Sequence, residues 1–170
     1  MTTEHTDPTG TPGDEIVVAV DGSVASRAAL SWAVRDAATT GRRVCAVRVF
    51  DPTGLFAPPA PVFEDIARVR EAELQALRDT VSETVGEAGG LPLRTELLEG
   101  DPADQLTRRS DGAALLVMGS HGRTRLGSTL LGSVSAACIR RATCPVLIMP
   151  PRTAEHLLGD TAADRVGQQA

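Results

Sequence analysis

The sequence predicts a three-layer α/β domain, a five-stranded parallel sheet with four flanking helices. Three observations predict it. Five short apolar runs alternate with four stretches of helical period. The first run, EIVVAV, is apolar on both faces after its opening Glu, as a strand covered on both sides requires. The fourth run stops abruptly at a glycine-serine loop that leads into the last helical stretch, the order of a βαβ unit. Right-handed crossovers then distribute the helices over both faces of the sheet.

The elements follow in order. Met1 to Asp14, rich in Thr, Pro, Gly and acidic residues, is expected to be a disordered tail. Glu15 to Val20 is the first strand. It ends at Asp21-Gly22-Ser23, where Ser23 is placed to cap a helix. Leu30, Ala33, Val34 and Ala37 repeat at helical spacing to about Thr40, and Gly41 marks the stop. Arg43 to Phe50 (RVCAVRVF) is the second strand. Asp51 to Pro61 holds four prolines and is a loop.

Val62 to Ala88 carries the clearest helical stripe, with Ile66, Val69, Leu74, Leu77, Val81 and Val85 on one face and charges on the other. Gly89-Gly90 ends it. Leu91 to Leu98 is the third strand, with Pro92 at a position suited to a strand start or a sheet edge. Asp101 caps a short helix with Pro102 in its first turn, ending near Asp111-Gly112. The fourth strand, from Ala113 to Met118, is followed by the glycine loop, a helix to about Ala142 and a fifth strand from Pro145 to Met149. The domain therefore spans 15–151, and 152–170 is expected to be a flexible polar tail.

Composition narrows the function. At 170 residues the chain is one domain with tails. It has one Trp, three Phe and no Tyr, so Val, Leu, Ile and Ala must build the core, and no ring platform exists for stacking single-stranded nucleic acid. The net charge is −5, which gives no general basic field for nucleic acid or an acidic membrane. All 17 basic residues are Arg. Three cysteines without a C-x-x-C do not make a disulfide framework, and they read as buried reduced thiols. The polar N-terminus and the absence of a span-length apolar run predict a cytoplasmic protein with no membrane partner. His121 is the only histidine between the tails, so no metal site is predicted, and no catalytic residue is assigned.

The glycine loop is the candidate binding site. It reads MGSHGRTRLGSTLLGSVS from Met118 to Ser135. Gly119 and Gly122 permit unusual backbone conformations and close approach of a ligand to main-chain N–H groups. Gly132, Ser133 and Val134 lie where the last helix begins, so its open N–H groups and dipole favour an anion. Ser133 and Ser135 add hydroxyl donors, and Arg123 or Arg125 can clamp a phosphate. The pattern is neither a Walker A loop nor a G-x-G-x-x-G fingerprint. Asp21, at the tip of the first strand, reads locally as a turn residue bonding its own backbone, or as a carboxylate facing the crevice.

VMGSHGR, then LLGSVS, a short helix and CPVLIM resemble the universal stress protein family, and within it the ATP-binding branch with signature G-x-x-G-x9-G-[ST]. The resemblance covers about Glu15 to Pro150. It implies a Rossmann-like sheet of order 3-2-1-4-5 with Asp21 and the Gly119 loop facing one crevice. It implies that Ala19, Asp21 and Val49 hold adenosine and that Met118 lines the pocket. Gly119, Gly122, Arg123, Gly132, Ser133, Val134 and Ser135 then hold ribose and phosphates of ATP, with Mg2+ carried by the phosphates. It also implies a homodimer through the fifth strand, Val146, Leu147, Ile148 and Met149, an unidentified regulatory protein partner, and at most slow ATP hydrolysis. The alternatives are a nucleotide-independent interaction module of the same fold and an adenine-nucleotide α-hydrolase-type enzyme.

Overall fold

The computed structural model describes residues 13–52, 63–86, 91–122 and 131–158. The prolines at 58, 59 and 61, Gly89-Gly90, Arg123, Arg125 and the chain beyond residue 158 lie outside the described residues.

Nine elements alternate as the sequence predicts: β1 (Glu15–Ala19), α1 (Val24–Thr40), β2 (Arg43–Phe50), α2 (Phe63–Val85), β3 (Leu93–Glu99), α3 (Pro102–Arg109), β4 (Leu115–Gly119), α4 (Ser133–Arg141) and β5 (Val146–Met149). The strands form one parallel sheet in the order β3-β2-β1-β4-β5. The local signals that start and stop the helices act as expected. Ser23 Oγ accepts from Ser26 N, and Gly41 ends α1 in the left-handed region at φ 72°. Asp101 accepts from Asp104 N ahead of Pro102.

Two cores separate the layers. On one face, Ile16, Val18, Val44, Ala46 and Val117 pack against Ala28, Leu30 and Ala33 of α1 and Leu77 of α2. On the other, Val17, Cys45, Val47, Leu116 and Met118 meet Ala103 and Leu106 of α3 and Cys138 of α4. Alternate residues of each central strand thus enter opposite cores, which is why their consecutive middle positions are apolar.

Two expectations about the ends require correction. Residues 151–158 form a fifth helix, α5, where the sequence predicts a flexible tail from 152 and four helices in all. Ala154 on α5 is fully buried, and Leu157 and Leu158 pack on the α1-side core. Three apolar residues in a short polar stretch are a weak periodic signal, and the partner surface exists only once β5 has been placed beside β4. At the other end, Gly13 and Asp14 of the expected tail are hydrogen-bonded: Gly13 N donates to Gly112 O at 2.8 Å and Arg43 N donates to Asp14 O at 3.0 Å.

An ionic cluster lies near the amino ends of the strands. Arg109 on α3 donates to Glu15 at 2.7 Å and to Glu96 at 2.6 Å, and Arg94 approaches Glu15 at 3.0 Å. Beside it Cys45 donates its S–H to Glu96 at 3.5 Å. Burial pushes the Cys45 thiol up to about 11. Glu15 and Arg94 stand near the strand ends opposite Asp21 and Gly119, while Glu96 lies mid-strand in register with Val47.

Candidate functional site

Strand order reverses direction between β1 and β4. β1 feeds α1 on one face, whereas the chain leaving β4 reaches α4 on the other, so the two carboxyl ends part and leave a crevice. A cleft of about 710 Å³ occupies it. Ala19, Asp21, Val49, Met118, Gly119, Gly122, Gly132, Ser133, Val134 and Ser135 all line this cleft. Ten positions drawn from β1, β2, β4 and α4 are thereby gathered at one place. Arg123 lies outside the described residues.

The glycines serve a different purpose from the one expected. None of Gly119, Gly122 and Gly132 has a positive φ. At Gly119 and Gly122 the constraint is space, whereas a Cβ on Gly132 would keep an ordinary contact distance. A Cβ on Gly119 would stand 2.8 Å from Ala25 Cβ, on Gly122 2.9 Å from Asp21 Oδ2, and on Gly132 3.4 Å from Ser120 O. The loop therefore runs hard against α1 at Gly119 and against the Asp21 carboxylate at Gly122, where a methyl group would push on Ala25 or turn the carboxylate.

Asp21 performs both tasks that its sequence position allowed. Its Oδ1 accepts from Ser23 N at 2.9 Å, the local turn. Its Oδ2 is the atom facing Gly122. The turn orients the carboxylate, and the crevice receives its free oxygen. Gly22, at φ 87°, makes that turn with a backbone that residues bearing a Cβ rarely adopt.

At the other side of the cleft, α4 begins at Gly132 with no side-chain capping bond. Its first-turn N–H groups lie among lining residues 133–135, and such open donors at the positive end of a helix dipole favour an anion. The two halves of the motif are stitched together through one carbonyl. Ser120 O accepts from Gly132 N at 2.7 Å and from Ser135 Oγ at 2.8 Å. The Ser135 hydroxyl, expected as a ligand donor, is committed to this stitch. It is buried, and it holds the loop to the helix. Ser133 is exposed at the cleft wall.

Sequence reasoning missed Arg48 and Glu73. Both line the cleft and form an ion pair through Arg48 Nε. Arg48 is only 6% exposed although it is charged. The signal was an arginine interrupting an apolar strand, which passed as the polar face of an alternating strand. Only the covering of that face by α2 makes it unusual. His121 is half-buried, with Nδ1 3.1 Å from Ser120 Oγ. It borders the main cleft and a second one of about 510 Å³ between the glycine loop, the start of α1 and α5. Among the described residues no cluster of His, Cys, Asp or Glu is arranged to hold a metal ion, and no helix is long and apolar enough to cross a membrane.

The fold and the crevice together define a doubly wound α/β domain with an anion-suited cleft at its switch point. Comparison with known proteins identifies it further. Residues 14–150 match the model of the universal stress protein family, and the chain belongs to that family. A universal stress protein of Mycobacterium tuberculosis is 36% identical over 138 residues, 79% of this chain and 47% of that protein. The chain thus spans about half the length of the first curated relatives it matches. A universal stress protein solved in complex with cAMP superposes with a TM-score of 0.57 at 27% identity, covering 82% of this chain and 98% of that one. One from Archaeoglobus fulgidus in complex with dAMP has a TM-score of 0.55 at 23% identity, covering 82% and 99%.

Proposed function

We infer that this chain binds an adenine nucleotide, ATP with Mg2+ on its phosphates, and that the bound state regulates a partner in a stress response. The observation that carries this reading is the division of one cleft between two chemistries. Gly119, Gly122, Gly132, Ser133 and the N-terminus of α4 offer space and N–H donors suited to phosphates. Val49 and Met118 are apolar cleft walls suited to the nucleoside, with Ala19 and Asp21 beside them. Arg123 belongs to this set by its place in the motif. Two structures of similar fold hold cAMP and dAMP, which agrees with an adenine ligand. At most slow hydrolysis accompanies binding, since the sequence offers no assigned base to activate water. The protein acts in the cytoplasm as a homodimer through Val146, Leu147, Ile148 and Met149 at the free edge of β5, since an unpaired apolar edge strand invites pairing.

The test is to purify the protein without added nucleotide, denature it, and identify what is released by mass spectrometry. ATP titration of the wild type and of a folded Gly122→Asp, Gly132→Val variant follows. Released adenine nucleotide, and binding lost in the variant, is the expected result. Absence of saturable binding by the wild type overturns the proposal in favour of a nucleotide-independent module. Pyrophosphate as a product would instead indicate α-hydrolase chemistry.

A further inference from the structure

The last helix and the glycine loop meet at one strand end. α5, residues 151–158, lies beyond the segment 14–150 that matches the family. β5 is a four-residue edge strand, paired only with β4 among the described residues. Its side chains on the α1 face, Leu147 and Met149, share one core with Ala154, Leu157 and Leu158 of α5. Ala154 is fully buried and Met149 nearly so. The helix starts within two residues of Met149, and Ala154 N donates to Pro150 O at 2.9 Å to close its first turn. α5 thus adds apolar cover to the end of a short edge strand, and burial of that kind is what fixes such an end.

That strand end is also where the glycine loop is held. Gly119 stands in register with Met149, and Ser120 N donates to Met149 O at 3.0 Å. Ser120 is buried and reaches further partners through its other polar atoms. Its carbonyl accepts from Gly132 N and from Ser135 Oγ at the start of α4, and its Oγ lies 3.1 Å from His121 Nδ1. A shift of Met149 is therefore passed to Ser120, and from there to both halves of the glycine motif. α5 also borders the loop across the smaller cleft, which Pro151 and Glu155 line together with Ser120, His121 and Gly122. His121 and Gly122 line the main cleft as well. The loop accordingly has the candidate nucleotide cleft on one side and α5 on the other.

Resting on the adenine-nucleotide reading above, we propose that α5 is a latch on the nucleotide loop. Docked, it holds Met149 and, through the hydrogen bonds of Ser120, the spacing between the glycine loop and the N-terminus of α4. A nucleotide that bridges those two elements binds best to the docked state. Coupling of this kind is reciprocal, so nucleotide tightens α5 by the same factor as α5 tightens nucleotide. The docking of α5, whose Arg152, Thr153 and Glu155 are exposed, then carries the occupancy of the cleft to the protein surface.

The test uses the full chain. Amide exchange is followed by mass spectrometry at labelling times short enough that local opening, not global unfolding, supplies the exchange. Saturating ATP with Mg2+ is expected to slow exchange of the α5 amides about fivefold, at the low end of couplings between linked sites. A Leu157→Ser, Leu158→Ser variant loosens α5 at two positions that line neither cleft. It is expected to keep its circular dichroism spectrum outside α5 and to bind ATP about fivefold more weakly by calorimetry. Unchanged α5 exchange in the ATP-saturated wild type overturns the latch and leaves nucleotide binding intact. So does unchanged ATP affinity in the folded variant, the result that a purely structural α5 would give together with a lower unfolding midpoint. Should the variant fail to fold, the wild-type exchange decides alone. If ATP does not bind the wild type, the nucleotide reading fails and this inference falls with it.

Discussion

Replacing Gly119 by Ala tests whether space, rather than backbone conformation, sets the glycine at the end of β4. The added Cβ would lie 2.8 Å from Ala25 Cβ, with His121 O at 3.2 Å and the Ala25 carbonyl carbon at 3.3 Å. Carbon atoms pack best at about 3.5–4.0 Å, so the overlap with Ala25 is roughly 1 Å. Neither alanine has a rotamer with which to escape. β4 is held by pairing with β1 and β5, Gly119 standing opposite Met149, and the start of α1 is held by its Ser23 cap. Relief therefore requires movement of backbone, which costs about 1–3 kcal/mol. Because φ at this position is not positive, the reduced freedom of the unfolded chain offsets about 0.5 kcal/mol of that cost. The expected net loss is about 1–2 kcal/mol in urea unfolding, or about 2–8 °C in Tm for a domain of this size. Ala25→Gly removes the colliding atom. In that background Gly119→Ala should lose at least half of its cost, a coupling measurable by a double-mutant cycle. A neutral Gly119→Ala, or a cost undiminished in the Ala25→Gly background, would refute the steric argument.

Three further outcomes are expected. Gly122→Ala meets the mobile end of Asp21 rather than backbone, so it should keep the fold within about 1 kcal/mol while turning the carboxylate. Calorimetry should then show about tenfold weaker adenine-nucleotide binding with an unchanged circular dichroism spectrum. Arg109→Met strips Glu15 and Glu96 of their shared partner and should cost about 3 kcal/mol in urea unfolding, part of which a second change, Glu15→Gln, should restore. The chain has no Tyr and no Lys, so a buried thiol can dominate the response of stability to alkaline pH. Burial raises the Cys45 thiol from 9.0 to about 11, so the unfolded chain loses this proton first and stability falls as pH rises through that window. Urea midpoints should drop by an amount equivalent to about 2 kcal/mol, and Cys45→Ala should flatten the fall, leaving the smaller contribution of Cys138, which burial also raises.

How much of this was legible in the chain depended on how local the cause was. Ser23, Gly41 and Asp101 act on neighbours within four residues, so the sequence predicted where α1 starts and stops and where α3 starts. Strand identity was legible because burial on both faces leaves uninterrupted apolar runs such as Ile16–Val18. The motif from Gly119 to Ser133 was legible as a constellation because fixed spacing survives without coordinates. The hydrogen bonds of Gly13 and Asp14 and the docking of α5 were not legible. Their partners, Gly112 and the α1-side core, are remote in sequence.

By itself, then, the sequence determined the alternation of elements, the caps, the apolar interior and the family, all properties written in local spacing and composition. Tertiary structure alone decided what surrounds the residues gathered at the cleft. It showed that the glycines answer to Ala25 and Asp21 rather than to φ. It committed the Ser135 hydroxyl to Ser120. It also turned an arginine that looked like a polar strand face into a buried charge opposite Glu73. The physical reason is common to all three. Space, hydrogen-bond competition and desolvation are fixed by which distant groups the fold brings together, and a single strand or loop carries no record of them.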